Sequence, residues 1–158
     1  MSQSNLQIIE FQPQLAHHFK SINMAWIEHY FEPEAEDMKV LNDPKKHLID
    51  TGGNIVFAEY KGQIVGTCGL KKWSDTEYEL VKMGVLDNYQ GLQLGYHLGQ
   101  AVIELAERAG CKRLFLETNK KLKPAINLYK KLGFQEFSND TSRCDYQRCD
   151  LYMELFFN

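Results

Sequence analysis

The spacing of apolar positions changes several times along this chain, and each change marks an element. Residues 7–11 alternate as a short strand that Pro13 ends. Leu15, Phe19, Ile22 and Trp26 then recur at helical spacing and predict an amphipathic helix reaching about Tyr30. Residues 32–50 are charged and carry a second helical stretch, broken around Pro44 and stopped by Thr51, Gly52 and Gly53. Residues 54–60 and 63–71 are β-rich and flank a Lys61-Gly62 turn, the pattern of a hairpin. Residues 77–85 predict a third long strand whose parity slips. Tyr78 and Leu80 share one side, and Val81, Met83 and Val85 share the other. A β-bulge near Leu80–Val81 accounts for the slip, and so does burial of both faces of a central strand.

A loop over residues 86–91 leads into a helix whose apolar face carries Leu94, Leu98, Ala101, Val102, Leu105 and Ala109. Gly110 stands where a helix-terminating residue belongs. Residues 112–118 predict a strand, and Pro124 opens a short helix with Ala125, Leu128, Tyr129 and Leu132 on its apolar face. Gly133 stops it, and strands follow at 134–137 and 149–157. The order β-α-α-β-β-β-α-β-α-β-β predicts an α/β (α+β) fold, with helices on both faces of a mixed, mostly antiparallel central sheet.

Neither repeat, linker nor low-complexity segment interrupts the 158 residues, so one domain over 1–158 is expected. Lys+Arg of 18 against Asp+Glu of 21 gives a net charge of −3, which disfavours nucleic acid and anionic membranes as partners. No apolar run approaches the ~20 residues of a membrane span. The polar start, residues 1–7, lacks the features of an export signal, so a cytoplasmic protein with reduced thiols is expected. Cys68, Cys111, Cys144 and Cys149 form no C-x-x-C pair, and a Cys144–Cys149 disulfide is the less favoured reading. His17-His18 has no partner at metal-ligand spacing, so a surface pair and no metal site are expected.

The stretch from Glu79 to Gly99 carries the chemistry. A strand ends at Val85, a short loop follows, and a helix starts near Gln93. Such a helix start offers unpaired N–H groups and the positive end of the dipole, and Gly91 and Gly95 leave room for close backbone approach. The residues fit an anion site and a tight packing loop equally well. G-x-x-x-x-G-K-[ST] and G-x-G-x-x-G are both absent. Gly91, Gly95 and Gly99 repeat every four residues, a spacing expected to bring the helix close to the sheet.

Three stretches here resemble one family, the acetyl-CoA-dependent GNAT N-acetyltransferases. Glu79-Leu80-Val81-Lys82-Met83-Gly84-Val85 resembles its central bulged strand. Gln90-Gly91-Leu92-Gln93-Leu94-Gly95 resembles its pyrophosphate loop, [QR]-x-x-G-x-[GA]. Leu116-Glu117-Thr118-Asn119, Ala125-Ile126-Asn127-Leu128-Tyr129 and Lys131-Leu132-Gly133-Phe134 resemble its late strand and A-x-x-L-Y-x-x-x-G-F helix. The resemblance implies a GNAT-like acyl-CoA N-acyltransferase fold with acetyl-CoA as cosubstrate and no metal. It departs at Gln93, where glycine is usual, and at Leu122, where asparagine is common. The Gln93 side chain either crowds the pyrophosphate or, if φ is negative, points away.

The resemblance also assigns roles. Backbone groups of Met83, Gly84 and Val85 would pair with the pantetheine arm, and a backbone N–H near Met83 would meet the developing oxyanion. N–H groups of Gln90, Gly91, Leu92, Gln93, Leu94, Gly95 and Tyr96 would hold the pyrophosphate. Asn119 and Asn127 would bond the pantetheine or the substrate, with capping and turn roles as alternatives. Tyr129 would protonate the departing thiolate. A thiol near ~8.5 and a phenol near ~10 differ by roughly 2 kcal/mol. Glu79 would take the proton of the incoming ammonium, directly or through water, with Glu77 and Glu117 as weaker alternatives.

The acceptor side is expected from Tyr30, Phe31 and Arg148, the last as a bidentate partner for a substrate carboxylate. Arg143 is expected to be solvated. The expected reaction is acetyl transfer to a primary amine of a small molecule, by direct attack in a ternary complex. A protein or peptide acceptor and a non-catalytic acyl-CoA sensor are the alternatives. The apolar Phe156-Phe157 end raises a homodimer through the last strands.

Overall fold

The computed structural model describes residues 5–138 and 146–158. Its strands are β1 (Leu6–Glu10), β2 (Asn54–Tyr60), β3 (Gln63–Lys72), β4 (Glu77–Val85), β5 (Arg113–Thr118), β6 (Gln135–Phe137) and β7 (Leu151–Phe156). Its α-helices are α1 (Ala16–Tyr30), α2 (Ala35–Asn42), α3 (Leu94–Arg108) and α4 (Lys123–Leu132). The strands form one seven-stranded sheet in the order β1-β2-β3-β4-β5-β7-β6. Every pairing is antiparallel except β4 with β5, which α3 connects. The mixed, mostly antiparallel sheet expected from the hydrophobic pattern is therefore present.

Alternation along β2 shows how the two faces are filled. Ile55 and Phe57 pack with Phe19 and Ile27 of α1 and Leu41 of α2. Val56 and Ala58, pointing the opposite way, pack with Leu98 and Val102 of α3 and with Leu114, Leu116 and Met153. The charged 32–50 stretch is divided as its pattern implies. α2 ends at Asn42, and a separate wide turn, Lys45–Ile49, follows Pro44. Gly53 does more than stop that turn. A Cβ there would lie 1.9 Å from the Leu70 carbonyl oxygen, so only glycine fits.

Two departures from the expected details shape the site. The slip in β4 is a bulge, but it lies at Lys82–Met83 rather than Leu80–Val81. Thr67 pairs Gly84 and Gly69 pairs Val81, so Lys82 and Met83 together oppose Cys68. Lys82 takes φ 53, the left-handed region that a non-glycine residue adopts at a cost of about 1 kcal/mol. The glycine repeat of α3 does not serve the sheet. A Cβ on Gly95 would meet Leu128 at 2.9 Å and one on Gly99 would meet Leu132 at 2.4 Å, so these glycines let α4 close on α3.

β4 and β5 part company after three residue pairs. Glu77, Tyr78 and Glu79 pair Arg113, Leu114 and Phe115. Beyond them β5 continues with β7, while β4 turns away through its bulge. The sheet is thus split between two neighbouring strands, and α3 and α4 begin near the split.

Candidate active site

A cavity of about 800 Å³ occupies the split. Its walls are the end of α1, the bulged half of β4, the tip of β5, the starts of α3 and α4, and Tyr146–Cys149. That volume suits a small-molecule site.

One end is made of backbone. Gln90 and His97 donate their N–H groups to Asp87 and Gln93 carbonyls. Between them, the six N–H donors from Gly91 to Tyr96 have no backbone acceptor among the described residues. The α3 start carries no side-chain cap and no acidic residue in its first turn. The loop is held from outside the donor row: the Gln90 side chain donates to the Val85 carbonyl at 3.0 Å, and Tyr89 donates to Gln63 at 2.9 Å. Six donors at a helix N-terminus whose first turn holds no acidic residue fit a pyrophosphate. Lys131, over the Tyr96 ring at 4.7 Å, adds a cation at the same end.

Gln93 sits at the helix N-cap with φ 60. Its backbone therefore keeps the left-handed turn that a glycine would make; the negative φ expected of a side chain pointing away is not found, and Gln93 is exposed at the cavity wall. Leu92 packs against the core rather than lining the cavity, so only its N–H belongs to the site.

Met83, Gly84 and Val85 of β4 and Tyr129 of α4 line the cavity as well. Gly84 is required there by Trp26, whose ring would lie 2.9 Å from an added Cβ. Trp26 is in turn oriented by its indole N–H to Asn23 at 2.8 Å. Tyr129 is buried, packed edge-on against Phe134. Burial pushes its phenol well above the ordinary value, and the Cys68 thiol beside it adds to the rise. Tyr129 is consequently a neutral donor throughout the neutral range.

The opposite end is made of charged and aromatic side chains. Glu79 is buried at the split and accepts a hydrogen bond from the Trp73 indole at 2.9 Å. Tyr30, Phe31, Glu117 and Tyr146 also face this end. Behind them lies a network that pattern reading missed. Asp37, wholly buried, receives both terminal nitrogens of Arg148 at 2.6 and 2.7 Å, and the Lys82 ammonium at 2.5 Å. It also caps its own helix, accepting the Glu34 N–H at 2.8 Å. Lys82 donates onward to the Tyr146 hydroxyl at 3.0 Å.

Burial alone would raise the Asp37 carboxyl, but the hydrogen bonds of Arg148 and the charge of Lys82 outweigh it and hold it at about 2. Burial pulls the Lys82 ammonium down, with Asp37 opposing. It also pushes the Tyr146 phenol up, so the tyrosine stays neutral.

Three expected roles need correction. Arg148 lines the cavity, but Asp37 and Glu34 occupy its guanidinium, so it is not an open clamp for a substrate carboxylate. Asn119 reaches the cavity wall with both polar ends engaged: it donates to the Arg148 carbonyl at 2.7 Å and accepts the Lys121 N–H at 2.9 Å. Asn127 is exposed on α4 and outside the cavity. The turn role weighed for asparagine therefore holds for Asn119. Arg143 and Cys144 lie outside the described residues. The one hint of the network in the sequence is Lys82, a lone cation inside an otherwise apolar half-strand.

The profile described as "Acetyltransferase (GNAT) family" matches residues 17–134. The chain belongs to that family. Among GNAT relatives, the "Uncharacterized N-acetyltransferase YjgM" of Escherichia coli is 35% identical over 60% of this chain and 59% of its own length. An "N-alpha-acetyltransferase" of Sulfurisphaera tokodaii is 34% identical over 58% of this chain and 62% of its own. The chain thus spans less than two thirds of these curated relatives. A GNAT acetyltransferase from Staphylococcus aureus shares the fold at TM-score 0.85 and 22% identity, covering 94% of this chain and 97% of that one. An acetyltransferase from Salmonella typhimurium, solved "with its cofactor Acetyl-CoA", shares it at TM-score 0.79 and 17% identity, over 98% and 95%.

Proposed function

We propose that this GNAT protein transfers the acetyl group of acetyl-CoA to a primary amine of a small molecule, by direct attack in a ternary complex. The observation that carries the reading is the split between β4 and β5. It brings onto one cavity six N–H donors without a backbone acceptor among the described residues, a buried carboxylate and a neutral tyrosine.

Acetyl-CoA supplies a thioester carbonyl open to attack. The N–H groups of Gly91 to Tyr96 hold its pyrophosphate, and the free edge of Met83 to Val85 pairs with the pantetheine arm as an added strand would. Glu79 takes the proton of the acceptor ammonium, so that the nitrogen lone pair can reach the carbonyl carbon. The bulged backbone at Met83 presents an N–H to the oxygen as charge develops on it. As the C–S bond breaks, the Tyr129 hydroxyl hydrogen-bonds the departing sulfur, and the second proton leaving the nitrogen is taken up by the thiolate, so that the amide and the CoA thiol are released. The raised phenol widens the gap to a thiol beyond the ~2 kcal/mol of unperturbed groups, so Tyr129 works chiefly as a hydrogen-bond donor to the forming thiolate. Tyr30 and Phe31 form the apolar rim for the acceptor.

A peptide acceptor is the second reading, favoured by the similarity to the Sulfurisphaera N-alpha-acetyltransferase. Thermal unfolding with acetyl-CoA, against NAD and ATP, tests the cosubstrate. At ~100-fold over Kd the stabilisation is about 2.7 kcal/mol, or roughly 5–10 °C. Thiol release with paired panels of free amines and peptides then separates the two acceptors. A shift with acetyl-CoA and no turnover on either panel would leave an acyl-CoA sensor and defeat the enzymatic reading.

A further inference from the structure

The Asp37 carboxylate joins three parts of the molecule that sequence keeps far apart. It opens α2 as a cap, grips Lys82 in the β4 bulge, and grips Arg148 just before β7. Lys82 sits in a left-handed conformation that its own backbone does not favour, beside Met83, and both residues stand outside the β3 register. Its ammonium runs away from β4 to Asp37 and lies over the Tyr146 ring at 4.3 Å. The Arg148 guanidinium lies on the same ring at 4.5 Å. One buried anion therefore tethers both the strained bulge and the Tyr146–Arg148 wall facing it.

We propose that Asp37 and Lys82 are positioning residues for acyl transfer, the Asp37–Lys82 tether holding the bulge so that the Met83 N–H is aimed at the acetyl oxygen. This rests on the proposed use of the β4 edge by acetyl-CoA. A local alternative is clear: the bulge could be set by Gly84 and Cys68 alone, with the charge network serving only stability. The two differ in what happens when the tether is cut without straining the chain. Lys82→Gly does this, because glycine accepts φ 53 freely and removes the ammonium. Asp37→Asn removes the anion with little change of shape and serves as the second variant.

The experiment is amide NMR of 15N-methionine protein, in which Met83 is one of five methionines, titrated with CoA and then with acetyl-CoA. In the parent, the Met83 amide should shift with acetyl-CoA beyond its shift with CoA. In Lys82→Gly and Asp37→Asn, CoA affinity should stay within about threefold, because the N–H donors of α3 are untouched, while the acetyl-specific Met83 shift is lost. On whichever amine the parent acetylates, kcat should fall about 10- to 100-fold with little change in the KM for acetyl-CoA. If Lys82→Gly folds and keeps the acetyl-specific shift, the tether does not aim the amide and the inference fails. If the parent binds acetyl-CoA but Met83 shows no acetyl-specific shift, the assignment of the β4 edge fails instead, and the inference falls with it. Should Lys82→Gly not fold, retention of the shift in Asp37→Asn overturns the inference equally.

Discussion

The two ends of the cavity are built from different materials. The α3 end uses backbone N–H groups that any residue but proline leaves in place, supported by glycines at tight helix contacts. The opposite end uses side chains, and its framework is a buried charge network in which each member depends on the others. Gln93 illustrates the difference: with φ 60 it keeps the left-handed turn that glycine usually makes, so the backbone donors stay in place although a side chain has been added at the cavity wall. No such freedom exists at Asp37, where a single change leaves two cations facing each other in a dry setting. A backbone-built site is tolerant and general, whereas a side-chain-built site is specific and brittle.

The comparison can be broken from several sides. Tyr129→Phe should lower kcat about 10²- to 10⁴-fold while calorimetric acetyl-CoA affinity holds within about threefold. An unchanged kcat would remove Tyr129 from the chemistry. At the side-chain end, Asp37→Ala should lower unfolding free energy in a denaturant titration by about 3–5 kcal/mol, because Arg148 and Lys82 lose their shared partner. A loss below about 1 kcal/mol would mean that the network is solvated in solution.

At the backbone end the brittle feature is helix contact rather than charge. Gly99→Ala puts a Cβ 2.4 Å from Leu132 and should cost about 1–3 kcal/mol. Gly91→Ala meets no neighbour, but at φ 85 it should cost about 1 kcal/mol through backbone strain.

The network also sets an acid limit. Asp37 is held at about 2 against an ordinary 3.8, so its stabilisation is fully present above about pH 4 and is lost as pH falls toward 2. The amount is about 2 kcal/mol, and Asp37→Asn should flatten that part of the stability–pH curve. The smallest effect is expected at Gln93→Gly. Relief of the left-handed glutamine should stabilise by up to about 1 kcal/mol, with acetyl-CoA affinity unchanged or higher. A large drop in affinity would assign the Gln93 side chain to the phosphate site.

Much of the frame was legible because its signals are local. The strand-loop-helix from Glu79 to Gly99 is contiguous, so period, glycines and helix start fall in one window. The parity slip in β4 announced a bulge, although not its position. Strand pairing with β3 set that, placing it at Lys82–Met83. Arg148 lines the cavity, but its pairing with Asp37 was not visible, because that partner lies 111 positions away.

What the sequence alone determined is therefore the element order, the mixed sheet, the glycine-flanked start of α3 and the apolar face of α4. These follow from periodicity, caps and backbone donors, which depend on near neighbours along the chain. Only the tertiary structure decided that Gly95 and Gly99 serve α4, that Asn119 ties a turn, and that Asp37 binds Lys82 and Arg148. Those facts depend on which distant segments share a buried volume, and a buried charge finds its partner by space rather than by sequence separation.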